Sequence, residues 1–135
     1  MNVSQRLLEA ATSRLNAVLP RDVRARAGIG AVPDFHERDE IWVGAERLAP
    51  VYQSSSQGGF RPHQVRSILI NLLLEAQCLI WNGGGGGWPP TDPEPASIDA
   101  LPQAWAAVTP TEIRLWYGDS AQPALSLEPI PTSNL

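Results

Sequence analysis

Residues 61–81 read RPHQVRSILINLLLEAQCLIW, and the fold turns on whether they form a helix or a strand. Every even position from Ile68 to Ile80 is apolar, the alternation of a strand. Yet Gln64, Ser67, Asn71, Glu75 and Asn82 fall together on one narrow helical face. Pro62 suits the first turn of a helix, and Leu, Ala, Gln and Glu all favour helix. Residues 64–81 are also longer than an ordinary strand. The balance favours a helix over 64–81, with one long strand as the alternative. Either element is apolar on both faces, so it forms the centre of the core.

Working outward, Ser4 is a good N-cap. Leu7, Leu8, Ala11, Leu15, Val18 and Leu19 recur at helical spacing until Pro20, predicting an amphipathic helix over 5–19. In DVRARAGIGAV, Val23, Ala25 and Ala27 alternate with Arg24 and Arg26. That predicts a short strand, at a sheet edge, ending at Gly28 and Gly30. PDFHERDE reads as a charged loop, IWVGA as a second short strand, and YQSSSQGG as a loop or hairpin tip. Near the C-terminus Ile113, Leu115 and Tyr117 alternate, GDSAQP turns, and Leu125 and Leu127 alternate back, which predicts a hairpin. Arg114 would face Ser126 or Glu128 across it. The expected fold is α+β, a single domain over 1–135: an N-terminal helix, a small and mostly antiparallel sheet, the central apolar helix or long strand, and a C-terminal β-hairpin.

Between the central element and the hairpin lies a stretch of six prolines and five consecutive glycines, Gly83, Gly84, Gly85, Gly86 and Gly87. It reads as an irregular arm over about 83–110, with one helical turn around SIDALPQAWAAV. Loops of this length inside a compact domain are uncommon and tend to be functional. The arm carries Trp88 and Trp105, and a few aromatics can dominate an interface. Two readings follow. The glycines form a hinge that lets Trp88 and Trp105 anchor the arm on a neighbour, or the arm folds back over its own domain. The outward-facing Arg24 and Arg26 join Trp88, Trp105 and the glycines as candidate interface residues.

Composition excludes several classes. All ten basic residues are arginine, so no lysine is present to form a Schiff base or serve a phosphate-binding loop. Residues 1–80 carry nine arginines against eight acids, and residues 81–135 carry one arginine against six acids. That acidic second half opposes wrapping of nucleic-acid phosphates. Cys78 is the single cysteine, so no internal disulfide forms. No secretory leader and no membrane span are expected.

Catalytic signals are weak. Asp34, His36, Glu37, Asp39 and Glu40 gather carboxylates but lack a second histidine for a metal site. Cys78 with His63 could be drawn as a thiol–imidazole pair, yet Cys78 sits in an apolar run and reads as a small core hydrophobe. YGDS falls at a predicted turn with no histidine downstream. The expectation is a non-enzyme with no metal and no cofactor.

The stretches RLLEAATSRLNAVLP, EIWVGAERLAPV and IRLWYGDSAQPALSLEPI occur in an order, and in a chain of a length, that resembles the tail terminator and neck proteins of long-tailed bacteriophages. The resemblance spans most of the chain and contains no specific motif; the Gly/Pro-rich arm lies outside it. It implies a structural subunit that forms a ring, such as a hexamer, between tail and head-connector proteins in a virion assembled in the host cytoplasm. It brings no catalytic residues. An acidic half suits a DNA channel, which is better lined with repulsive than adhesive charge. The alternatives are a baseplate or connector subunit, or a cytoplasmic adaptor.

Overall fold

The structure is a computed structural model, and it describes residues 3–31, 39–46, 50–56, 62–83 and 86–135. The stretch forms a helix: α2 spans Pro62–Asn82. Ile68, Leu69, Leu72, Leu73, Ala76 and Ile80 are buried, while Ser67 is exposed and Asn71 and Glu75 are half-buried. The alternation that imitated a strand is a by-product of a helix apolar on most of its circumference, as expected of a helix covered on more than one side. α2 packs on all three strands of one sheet and on a strand of a second sheet.

The first helix, α1, spans Val3–Asn16. It buries Leu7, Leu8, Ala11 and Leu15. It starts earlier than the capping signal implies, so Ser4 lies inside it. Its regular part also ends sooner, at Asn16, and the amides of Val18 and Leu19 both bond the Leu15 carbonyl at 3.1 and 3.0 Å. Asn16 helps end the helix because its side chain pairs elsewhere. Its Nδ2 donates to the Ala25 carbonyl at 3.0 Å and its Oδ1 accepts the Ala25 N–H at 2.8 Å.

Ala25 belongs to β1, Arg24–Ala31, which pairs antiparallel with β2, Asp39–Glu46, and β2 in turn with β3, Pro50–Ser56. β1 is an edge strand, as predicted. Asn16 therefore occupies the outward hydrogen-bonding groups at the start of an open edge, one of the devices that blunt such edges. Three expectations are corrected here. β1 runs through Gly28 and Gly30, which stand opposite Trp42 and Glu40. Asp39 and Glu40 belong to β2 rather than to the charged loop, whose residues 34–38 lie outside the described residues. YQSSS is strand β3 rather than loop, with Tyr52, Gln53 and Ser54 opposite Gly44, Val43 and Trp42. Its polar composition suits an edge strand, and ladder pairing overrides a weak local preference.

The second sheet holds β4, Ala104–Val108, β5, Glu112–Gly118, and β6, Pro123–Ser126, in that order, with β7, Ile130–Pro131, also paired to β5. The predicted hairpin is β5–β6. Its turn uses Gly118 at φ +97°, where a Cβ would stand 3.0 Å from the Ala124 nitrogen, and Asp119, whose Oδ1 accepts the Ala121 N–H at 2.8 Å. β4 lies inside the stretch read as an irregular arm, which is a further correction. Ala104, Ala106, Ile113, Leu115, Tyr117, Leu127 and Ile130 join the buried residues of α1, β1 and α2 in one core. The fold is α+β, two antiparallel sheets gathered around α2.

Candidate functional site

The chain leaves α2 at Gly83, whose N–H bonds the Leu79 carbonyl at 2.9 Å, and returns to the same helix at Trp88. Gln77 brings it back. This side chain is buried, 3% exposed, and its Nε2 donates to the carbonyls of Trp88 at 3.2 Å and Pro102 at 2.7 Å. One amide thus closes the excursion 89–101 at both ends, the geometry of an Ω-loop. Trp88 is 6% exposed. Its ring meets Tyr117 edge-on, with centroids 5.0 Å apart and planes at 78°. Tyr117 donates its hydroxyl to the Leu73 carbonyl at 2.9 Å, and burial pushes that hydroxyl well above the ordinary tyrosine range.

Of the two readings of the arm, the structure adopts the fold-back for Trp88. Its ring belongs to the core of its own chain and is not presented to a neighbour. The described glycines fit tight places. Gly86 has φ +75°, and a Cβ on Gly87 would stand 2.9 Å from Leu101 Cδ2 and 3.1 Å from Pro95 Cδ. Gly84 and Gly85 lie outside the described residues. The one expected helical turn is present at Ile98–Ala100.

Trp105 has the opposite fate. It lies on β4 directly across from Trp116 on β5, on the face of the sheet turned away from α2. Trp105 is 37% exposed and Trp116 half-buried. The Trp116 indole donates to the Gly118 carbonyl at 3.1 Å, which fixes its ring. Arg66, from α2, reaches over the edge of β4. Its Nε donates to the Ala106 carbonyl at 3.0 Å, and its guanidinium lies 5.7 Å from the centre of the Trp105 ring, a cation–π arrangement. An open hollow of about 280 Å³ is lined by Trp105, Trp116, Gly118, Asp119 and Ser120. A smaller one beyond Trp116 is lined by Arg114, Trp116, Ser120, Pro123 and Ser126. Arg114 and Ser126 share this hollow, but the register sets Ser126 across from Trp116, so the expected facing of Arg114 and Ser126 is corrected.

No family model, curated protein or solved structure matches this chain.

The other sequence candidates are scattered. Arg24 and Arg26 are exposed on β1 beside buried Val23 and Ala25, the alternation the sequence predicts. Cys78 is half-buried. Desolvation, then the nearby charge of Glu75, pushes its thiol up, away from the nucleophilic thiolate. Glu75 is itself raised by burial. Together with Leu74, Ile98, Leu101 and Pro102, Cys78 lines a shallow hollow of about 300 Å³. The side chain of His63, and His36 with its neighbours, lie outside the described residues. Among the described residues no three His, Cys, Asp or Glu side chains are grouped to hold a metal ion, and no helix is long and apolar enough to cross a membrane.

Sequence reasoning missed Gln77 as the clamp of the loop, and Arg66 and Trp116 as neighbours of Trp105. Gln77 looks like a polar interruption of an apolar run, and nothing local announces its two carbonyl partners. The Trp105–Trp116 pair was within reach: AWAAV alternates, and a strand there would pair with β5 through a short turn.

Proposed function

We propose that this chain is a non-enzymatic structural subunit of a virion, a ring-forming tail terminator or neck protein that joins a phage tail to its head. The observation that carries the proposal is the Trp105–Trp116 pair, exposed at Trp105 and half-buried at Trp116, with Arg66 and Arg114 beside it. Interface centres are enriched in tryptophan and arginine and depleted in other charges, and charged residues make up only 18% of the chain. The order of elements, helix, three-stranded meander, central helix and C-terminal sheet, supports the same reading, since it follows the order on which the resemblance rests. In this role the subunit needs no cofactor and no catalytic group, and its partners are copies of itself and the adjoining tail or connector proteins.

The experiment is light scattering of the purified full chain over a concentration series, with negative-stain electron microscopy of the largest species. A defined multiple of the 14.6 kDa chain mass and annular particles are expected. A monomer at every concentration, with no annular particles, rejects the proposal.

A further inference from the structure

We propose that the Trp105–Trp116 face of one copy receives the acidic loop 89–101 of the next copy, a contact that rests on the ring-forming reading and names the surfaces that build the ring. The loop is the only sizeable excursion among the described residues that is clamped at both ends by one side chain, Gln77. Between the clamps it presents Pro90, Asp92, Pro93, Glu94, Ile98 and Asp99 to solvent, with no basic residue among them. The segment is ordered before any contact is made, because Trp88, Pro89 and Leu101 are buried and the Gly87 N–H bonds Glu94 Oε1 at 3.3 Å. Ordering entropy, a large cost of docking a loop, is already met by the fold.

The receiving face matches it in chemistry. Proline rings and Ile98 suit the indole walls of the 280 Å³ hollow, as aromatic-lined grooves suit prolines generally. Arg66 and Arg114 flank the indoles, and among the described residues neither is paired with a carboxylate. Asp92 and Asp99 supply the opposite sign. Asp119 also lines that hollow, and its Oδ1 is held by the Ala121 N–H of its own hairpin. Like-charge repulsion from Asp119 turns the loop's carboxylates away from the hollow and toward the flanking Arg66 and Arg114, which fixes its register. Because the loop and the face are different surfaces, the contact is heterologous and propagates from copy to copy until a ring closes.

The test uses two full-length variants altered only at exposed positions: Arg114→Glu, and Asp92→Arg with Asp99→Arg. Each alone is expected to dissociate to monomer in light scattering, with at least about a tenfold weaker association, while circular dichroism stays that of the wild type. Mixed in equal amounts, the two restore the wild-type mass, because each supplies the charge that the other lacks. Variants that keep the wild-type mass when alone overturn this contact and leave the ring reading standing. A wild-type chain that is monomeric throughout overturns both.

Discussion

Replacing Trp88 with alanine tests whether the arm is part of the fold or an appendage. The side chain is 6% exposed and packs edge-on against Tyr117, itself buried and bonded to the α2 backbone. Truncating a buried tryptophan costs about 3–5 kcal/mol, the lost transfer free energy plus the cavity left behind. A domain of this size has about 5–15 kcal/mol in all, so Trp88→Ala would remove roughly a fifth of it or more. With a urea slope of about 2 kcal/mol per molar, the unfolding midpoint falls by roughly 2 M, followed by far-UV circular dichroism because the mutation alters tryptophan fluorescence. Trp105→Ala is the control. It is 37% exposed, with one cation–π contact worth about 0.5–1 kcal/mol and the cross-strand Trp116 worth up to about 1 kcal/mol more, so its midpoint should move by no more than about 1 M. Equal midpoints for the two variants would refute the placement of Trp88 in the core.

Three further outcomes follow from named contacts. Gln77→Leu leaves the Trp88 and Pro102 carbonyls without their buried donor and should cost about 1–3 kcal/mol, with limited proteolysis opening first within 86–103. Leu72→Asp, at a fully buried position of α2, should cost several kcal/mol, more than about 3. Asn71→Leu, half-buried beside it, should stay within about 0.5 kcal/mol, and equal tolerance of the two in chemical denaturation would be inconsistent with α2 as described. Glu75 has its carboxyl raised above 4.5 by burial. The stability its protonated form contributes is full below that ordinary value and is lost as pH rises through the raised one. Glu75→Gln should therefore match the wild type near pH 4 and exceed it at pH 7, and a pH-independent difference between their urea midpoints argues against the assignment.

The elements legible in the sequence are those whose burial is set by local period. α1, β1 and the β5–β6 hairpin each show one apolar face at a regular spacing, and the structure buries that face. α2 required a choice, because an element covered by two sheets loses the polar face that would mark its period. β3 was illegible for a different reason. Its serines and glutamine carry no strand preference, and the strand exists through its ladder with β2. The Trp105 face depends on a register between strands from separate stretches, and Gln77 on carbonyls 11 and 25 residues away along the chain. Such long-range pairings leave no local pattern to read. The turn at Gly118 and Asp119 was legible because its chemistry is contained within a few residues.

The five glycines supply length. Gln77 lies five residues before the end of α2 at Asn82, so the chain must travel about 7.5 Å back along the helix axis, and sideways as well, to place the Trp88 carbonyl 3.2 Å from Gln77 Nε2. A run shortened to one glycine leaves two Cα steps between the residues now numbered 82 and 88. Two steps reach about 7 Å at full extension, less than the axial distance alone, whereas five glycines allow six steps and about 20 Å. The hinge reading expects the shortened chain to fold as well as the wild type and to lose only its assembly. The fold-back predicts instead that shortening pulls Trp88 from the core and costs about as much as Trp88→Ala, again about 3–5 kcal/mol. Because both changes remove the same packing, the double variant should be no less stable than either single one by more than about 1 kcal/mol, a non-additivity expected of coupled sites. Denaturation of the three variants decides it: additive losses, or a shortened chain with wild-type stability, would show that the glycines do not serve the return to Gln77.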